Sequence, residues 1–487
     1  LQEKKNYKLA FFFGLMVIVQ AVWIVNSNGF YFIDDGCHFN YNRHFFSSYY
    51  ASLGFWHRLG RVWLFTLPAQ FGLKGTQIFA SIIFLATIYI AYKILKYKNV
   101  PHAEWIVPII GFQPVLFNIS YSVLAELPAA FLIVLSYYLY LKDKYQAVMI
   151  LSSLIFMFRT EYYYVAGLFL LIYLFRKRWI ALPLFIIGPL VWFLVSWIIQ
   201  GDWWRFFYDM FMHARLPRIT EGIDWYYYFY HMPEVFGFVQ CLFFVFALVI
   251  LIIKKKIGDY GLILLIFFIG VFVQTMFALK GLDLTCSIGQ LRYIAVVGPM
   301  FGIVSAAGLG YFYSLLKWRI LRYPVQIVLL AIMFILGPYA TPFHKKYEIE
   351  KECDRIAKLH DEKYKDYIVL SNLYQVANSM DEADIGGKMF HHLSMSNLEK
   401  YNKELIVWSR ELEGSPFVNE TVTLGKLKKY PNVKLLATIT EKANRNSDIP
   451  IYKYYDWNKK FRRDLIEYLV YDQYSWENFQ IKIFIKE

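Results

Sequence analysis

The sequence predicts a polytopic α-helical membrane protein that ends in a small α/β domain, and three observations carry that expectation. Of the 487 residues, 58% are hydrophobic and 20% aromatic against 18% charged, more apolar surface than a soluble globule can bury. Apolar runs long enough to span a bilayer recur up to residue 342, with Lys/Arg clusters at every second connection. Beyond residue 342 the composition becomes that of an ordinary soluble domain.

Eleven spans can be drawn. The first, about Leu9 to Asn28, follows Lys4, Lys5 and Lys8, which places the N-terminus in the cytoplasm; it lacks the small-x-small site of a cleaved signal and reads as a retained span. Span two (about Gln77 to Leu95) returns to Lys93, Lys96 and Lys98. Spans three (Trp105 to Ile119) and four (Ser122 to Leu141) form a hairpin ending at Lys142 and Lys144. Spans five (Tyr145 to Phe158) and six (Tyr162 to Phe175) form another, ending at Arg176 to Arg178. Span seven (Trp179 to Gln200) leads into an external stretch, Gly201 to Met232, and span eight (Pro233 to Ile253) comes back to Lys254 to Lys256. Span nine (Tyr260 to Leu279) goes out, span ten (Gln290 to Leu316) returns to Lys317, Arg319 and Arg322, and span eleven (Val325 to Pro342) exits. Spans three, five and six are short for a hydrocarbon core of about 30 Å, so either they tilt little or protein surrounds their ends.

The expected domains are therefore 1–342 in the membrane and 343–487 outside it. In the latter, the β-type runs "YIVLSN", "LIVWSR", "KLLATIT" and "IKIFIK" alternate with partly helical stretches such as "EIEKECDRIAKLHDEKY", the pattern of a small α/β domain. This part holds 24 Lys/Arg against 23 Asp/Glu, so the net charge of +14 arises before it, where 27 basic residues meet 14 acidic ones in the connections. That placement follows the positive-inside rule, and with no nucleic-acid motif present it argues against nucleic-acid binding. The cysteines Cys37, Cys241, Cys286 and Cys353 show no ligand spacing; Cys37 and Cys286 both fall on the external side, where a bridge could form.

The same topology gathers ionisable residues at the external span ends: Asp34 and Asp35 after span one with Arg43 in the same loop, Glu126 opening span four, Arg159 and Glu161 between spans five and six, and Lys280, Asp283 and Arg292 before and at the start of span ten. Charges at a membrane edge are costly, and a cluster on one side of the bilayer is a site hypothesis by default. Adjacent half-desolvated carboxylates suit a general base or a cation site; an interfacial loop whose acids face water is the plainer reading. Glu126 could equally be a dipole-favoured helix start, Arg159 and Glu161 a turn with a local ion pair, and Arg292 a snorkelling side chain. Together, carboxylates able to deprotonate a hydroxyl and cations able to hold a phosphate would serve a lipid-phosphate substrate presented at the external surface.

At these residues the sequence resembles membrane glycosyltransferases of the GT-C superfamily. "IDDGCHFNYNRHF" is similar to their first external loop, "SYSVLAELPAAFLIVLSYYLYL" to their second short hairpin with its acidic opening, and "FRTEYYYVAGLFLLIYL" and "LRYIAVVGPMFGI" to their arginine-bearing third hairpin and late "RY…P" segment. Asp35 and "SYS" stand where protein O-mannosyltransferases usually have Glu and Arg, which brings the chain nearer to the arabinofuranosyltransferase-like branch. The resemblance implies a GT-C-like fold with about eleven transmembrane helices and a C-terminal extracytoplasmic α/β domain, and an inverting transferase that takes a sugar from a polyprenyl-phosphate carrier. It implies Asp34 or Asp35, with Asp34 favoured, as general base, Glu126 as an orienting acid, and Arg159 and Arg292 as compensators of the phosphate charge. Arg43, Glu161 and Lys280 join these as candidate donor contacts. Some relatives need a divalent cation, Mg or Mn, which Asp34, Asp35 and Glu126 would hold.

The expected function is a glycosyltransferase of the cytoplasmic (inner) membrane, taking a polyprenyl-phosphate-linked sugar as donor and a glycan, lipid or protein as acceptor. An endoplasmic reticulum location is the alternative, where the sequons at Asn118 and Asn419 would matter. The rival classes are a secondary transporter or lipid-linked-sugar flippase, disfavoured because the charges gather at one surface and no two-fold repeat is visible, and a glycan polymerase or ligase using diphosphate-linked donors.

Overall fold

The structure, a computed structural model, describes residues 7–31, 33–46, 58–204, 207–208, 223–279, 290–316, 319–341, 343–346, 348–372, 376, 390–393, 395–409, 422–442 and 478–486. They divide into two compact units: a helical one containing the described parts of 1–26 and 50–343, and a second containing those of 27–49, 344–448 and 471–487.

The apolar runs form helices because a segment without polar side chains can satisfy its backbone only internally once water is excluded. In chain order the first are α1 (Tyr7–Asn26), α2 (Ile33–Arg43), α3 (Leu59–Ala69), α4 (Gly72–Tyr97), α5 (Ile106–Gly111), α6 (Pro114–Ile119), α7 (Glu126–Leu141), α8 (Tyr145–Phe158), α9 (Tyr164–Phe175) and α10 (Ile187–Gln200). Helices Phe238–Ile253, Gly261–Ala278, Gly298–Leu315 and Arg319–Leu336 follow. Among the described residues, five helical stretches are long and apolar enough to cross a membrane: Tyr7–Asn26, Gly72–Tyr97, Trp179–Ile199, Ile257–Ala278 and Tyr323–Ala340. Outward residues such as Phe11, Ile18, Phe175, Ile198 and Ile253 stand exposed, as a lipid-facing surface requires.

Several expected spans are interrupted. Span three is two short helices, α5 and α6, which meet at Phe112 and Gln113. The break is stabilised by amides: Gln113 Nε2 donates to the Gly298 carbonyl at 2.9 Å, and Gln240 Nε2 donates to the Phe112 carbonyl at 3.3 Å. Span eight bends at Gly237, whose φ of +93° is accessible to glycine, and span ten is a turn at Arg292–Ala295 followed by Gly298–Leu315. Helices Phe238–Ile253 and Gly298–Leu315 approach so closely that a Cβ on Gly308 would lie 2.2 Å from the Phe243 carbonyl oxygen, the close approach that small residues permit in membranes. α3 was not expected at all.

The second unit is built on a five-stranded sheet of order β2-β1-β3-β5-β4, with β1 (Ile368–Ser371), β2 (Phe390–His392), β3 (Glu404–Ser409), β4 (Val433–Lys442) and β5 (Asn478–Lys486). β1 runs parallel to β2 and β3, while β5 is antiparallel to β3 and β4; Val369 pairs with Leu405, and Leu405 with Ile485. Four of these strands are the β-type runs of the sequence; the three-residue β2 was too short to see. Alternation along β3 sends Leu405 and Val407 to one core and Ile406 and Trp408 to the other, so both faces are covered. The first core is closed by helix Glu348–Lys363 through Ile349, Cys353, Ile356 and Ala357, an i, i+4, i+7, i+8 stripe.

The segment after α1 belongs to this second unit. Gly29 N–H donates to the His344 carbonyl at 2.7 Å, and His344 N–H to Ser27 Oγ at 2.9 Å. A Cβ on Gly29 would lie 2.4 Å from the Lys345 carbonyl carbon, so only glycine fits the crossing.

Candidate functional site

α7 begins at Glu126, whose carboxylate lies in the positive field of the helix N-terminus. Its side chain is only 2% exposed, and two guanidiniums neutralise it: Arg159 Nη2 bonds Oε1 directly, and Arg292 Nε lies 3.4 Å from the same oxygen. Arg159 caps the end of α8 in an extended conformation and turns its other nitrogen to Glu161 Oε1 at 3.0 Å. Glu161 in turn faces Arg58, whose Nη2 lies 3.8 Å from Oε2 and whose Nη1 donates to Thr160 Oγ1 at 3.1 Å. The Tyr293 ring lies under Arg159 at 4.6 Å and near Arg292 at 5.5 Å, and the Tyr162 hydroxyl donates to the Tyr293 carbonyl at 2.5 Å.

Three arginines and two glutamates from four chain segments thus converge in the helical unit, formally one positive charge in excess. Buried charges persist only when paired, and here the pairing is mutual and nearly dry. Chemically the group is a guanidinium cradle, the geometry that binds phosphate in planar, bidentate fashion.

Of the residues expected at the site, Glu126, Arg159, Glu161 and Arg292 are brought together. Asp34, Asp35 and Arg43 lie on α2 in the second unit, on a helix where an external loop was expected. The two acids occupy its first turn and Arg43 its last, each favoured by the helix dipole. Asp35 is 1% exposed, and its Oδ2 accepts from Tyr31 N–H at 3.0 Å, reaching back over the helix start as a capping acid does; Asp34 is half-buried. Lys280, Asp283 and Cys286 lie outside the described residues.

Arg58, Thr160 and Tyr293 were not singled out in the sequence. Arg58 sits at the N-cap of α3 with φ +57° and ψ +95°, a conformation that non-glycine residues adopt rarely and that clusters at functional sites. Among the described residues no group of three His, Cys, Asp or Glu side chains converges, and Glu126 is engaged by two guanidiniums.

No protein-family model matches the chain, and no curated protein matches its sequence. The fold, in contrast, has close counterparts among solved membrane-protein structures. The crystal structure of ArnT from Cupriavidus metallidurans bound to undecaprenyl phosphate aligns with a TM-score of 0.59, covering 89% of this chain and 96% of that one at 9% identity. ArnT from the same organism in the apo state gives 0.54, with 82% and 93% coverage at 10% identity. The chain shares the ArnT fold.

Proposed function

We propose that the protein is a membrane glycosyltransferase that takes its sugar from a polyprenyl-phosphate carrier. The observation that carries this reading is the guanidinium cradle of Arg58, Arg159 and Arg292 in a fold shared with a protein crystallised with undecaprenyl phosphate. The chain crosses the cytoplasmic membrane eleven times with its N-terminus inside and its sheet-bearing unit outside.

A carboxylate on α2 takes the proton of the acceptor hydroxyl; the oxygen attacks the anomeric carbon, and the bond from that carbon to the phosphate oxygen breaks with inversion. The phosphate leaves with the bonding electrons, and the guanidiniums stabilise its growing charge. Asp34, which stands where the GT-C resemblance places the first acid, is the base. Glu126 and Glu161 hold the arginines in place, and Arg43 and Lys280 contact the donor or acceptor. The acceptor is a glycan, lipid or protein hydroxyl.

The test is a transfer assay on purified protein with a series of polyprenyl-phosphate sugars. Arg292→Ala and Arg159→Ala are expected to lower kcat by about 100-fold or more, while the wild type is inert towards diphosphate-linked donors. Activity only with diphosphate donors would move the reading to a polymerase or ligase. Full activity in both variants would remove the cradle from the reaction.

A further inference from the structure

The end of the helical unit remote from the cradle is a second charged surface. α7 starts at Glu126 and ends at Leu141, sixteen residues or about 24 Å away, close to the hydrocarbon thickness of a bilayer. Around that far end, the connections 93–98, 142–144, 176–178 and 254–256 hold eleven Lys/Arg, and the acids nearby are Glu104, Asp143 and Asp259.

Six of the eleven cations are braced on tyrosine. Arg178 stands 4.4 Å from the Tyr145 ring, Lys254 4.4 Å from Tyr311, Lys142 4.7 Å from Tyr97, Lys98 4.9 Å from Tyr260, Lys93 5.1 Å from Tyr89 and Arg176 5.3 Å from Tyr140. Several of these contacts cross between helices. Lys142 reaches from α7 to Tyr97 on α4, Arg176 from the end of α9 to Tyr140 on α7, and Lys254 from helix Phe238–Ile253 to Tyr311 on helix Gly298–Leu315, so the cations ring the helix ends.

Beside the cations along the chain stand bare apolar side chains: Phe175 is 82% exposed before Arg176, Trp179 60% after Arg178, and Ile253 68% before Lys254. A fixed cation one residue from an exposed apolar group matches a phosphate joined to acyl chains. A ring under a cation limits its motion without neutralising it, and basic residues at the membrane surface attract anionic lipids.

We propose that this face binds anionic phospholipid, the tyrosine-braced cations taking the headgroup phosphates and the exposed apolar residues the acyl chains. Delipidated full-length protein in neutral detergent, titrated with phosphatidylglycerol or phosphatidylcholine and read by native mass spectrometry and thermal shift, tests it. Phosphatidylglycerol should bind at least about tenfold more tightly and raise Tm, and each neutralised cation should weaken it about fivefold. Lys142→Gln/Arg176→Gln/Arg178→Gln should lose the preference, and the charge-preserving Lys142→Arg/Arg176→Lys/Arg178→Lys should keep it. Equal binding of the two lipids by the wild type, or an unchanged preference in the folded neutral variant, overturns the proposal. So does an equal Tm shift from inorganic phosphate, which would mark a site for soluble anions.

Discussion

The two ends of the helical unit handle charge in opposite ways. At the cradle end, cations and carboxylates are buried against each other, with Glu126 and Arg292 2% and 3% exposed. At the other end, cations outnumber acids and rest on tyrosines. The difference teaches where mutation is dangerous. In a dry mutual network each member is the counter-ion of another, whereas a braced surface cation keeps its solvation.

The largest effect should come from breaking the network at its centre. Glu126→Ala leaves Arg159 and Arg292 facing each other without their shared carboxylate, and removing one partner of a buried pair costs about 3–5 kcal/mol. Thermal unfolding in detergent is expected to show that loss, with transfer abolished. An unchanged Tm would mean that water already solvates the arginines.

Next comes the pair on α2. Asp34→Asn is expected to lower kcat by about 10²- to 10⁴-fold, the scale of a lost general base. Asp35→Asn should instead cost about 1 kcal/mol of stability by weakening the cap at Tyr31, with a smaller effect on kcat. Comparing kcat and Tm for both variants separates the roles, and the reverse pattern would exchange them.

These assignments also show what the sequence revealed. Long apolar runs and short β-type runs translated directly into helices and strands, because hydropathy and β-branched or aromatic composition are local properties. The break at Gln113 was missed although Pro114 marks it, since the run around it remains apolar and the stabilising partners, Gly298 and Gln240, are more than a hundred residues away. The meeting of Glu126, Arg159 and Arg292 was legible only as a shared side of the membrane. Arg58 was missed because α3 is eleven residues long and contains Arg61 and Pro68, so it does not read as a span. The attachment of 27–46 to the sheet unit was hidden as well: its bonds run largely through backbone groups of Gly29 and His344.

A buried ion pair in the sheet unit lies between the two extremes. Glu404, at the start of β3, has its carboxyl pushed up to about 7 by burial, against the pull of Lys486 Nζ at 3.3 Å. A raised folded pKa means that the native state binds the proton more tightly than the unfolded chain. The stabilisation from this group is therefore complete below about pH 4.5 and lost as pH rises through about 7. Glu404→Gln is expected to flatten that slope. Hydrogen exchange of the strand 404–409 in the full chain, followed from pH 4.5 to 7.5 after correction for intrinsic rates, reads it; an equal slope in both proteins would assign the dependence to another group.

The smallest effect belongs to the braced cations. An exposed cation over a ring contributes about 0.5–1 kcal/mol, and in detergent nothing anionic adds to it. Arg178→Gln should accordingly shift stability in detergent by less than about 1 kcal/mol, several-fold below Glu126→Ala, although Arg178 lies closer to its ring, at 4.4 Å, than Arg159 does to Tyr293, at 4.6 Å. Ring distance is nearly the same at the two ends, so a large loss in Arg178→Gln would mean that burial by neighbouring helices, and not the carboxylate network, sets the cost of removing a charge. A small loss leaves mutual pairing as the difference between them.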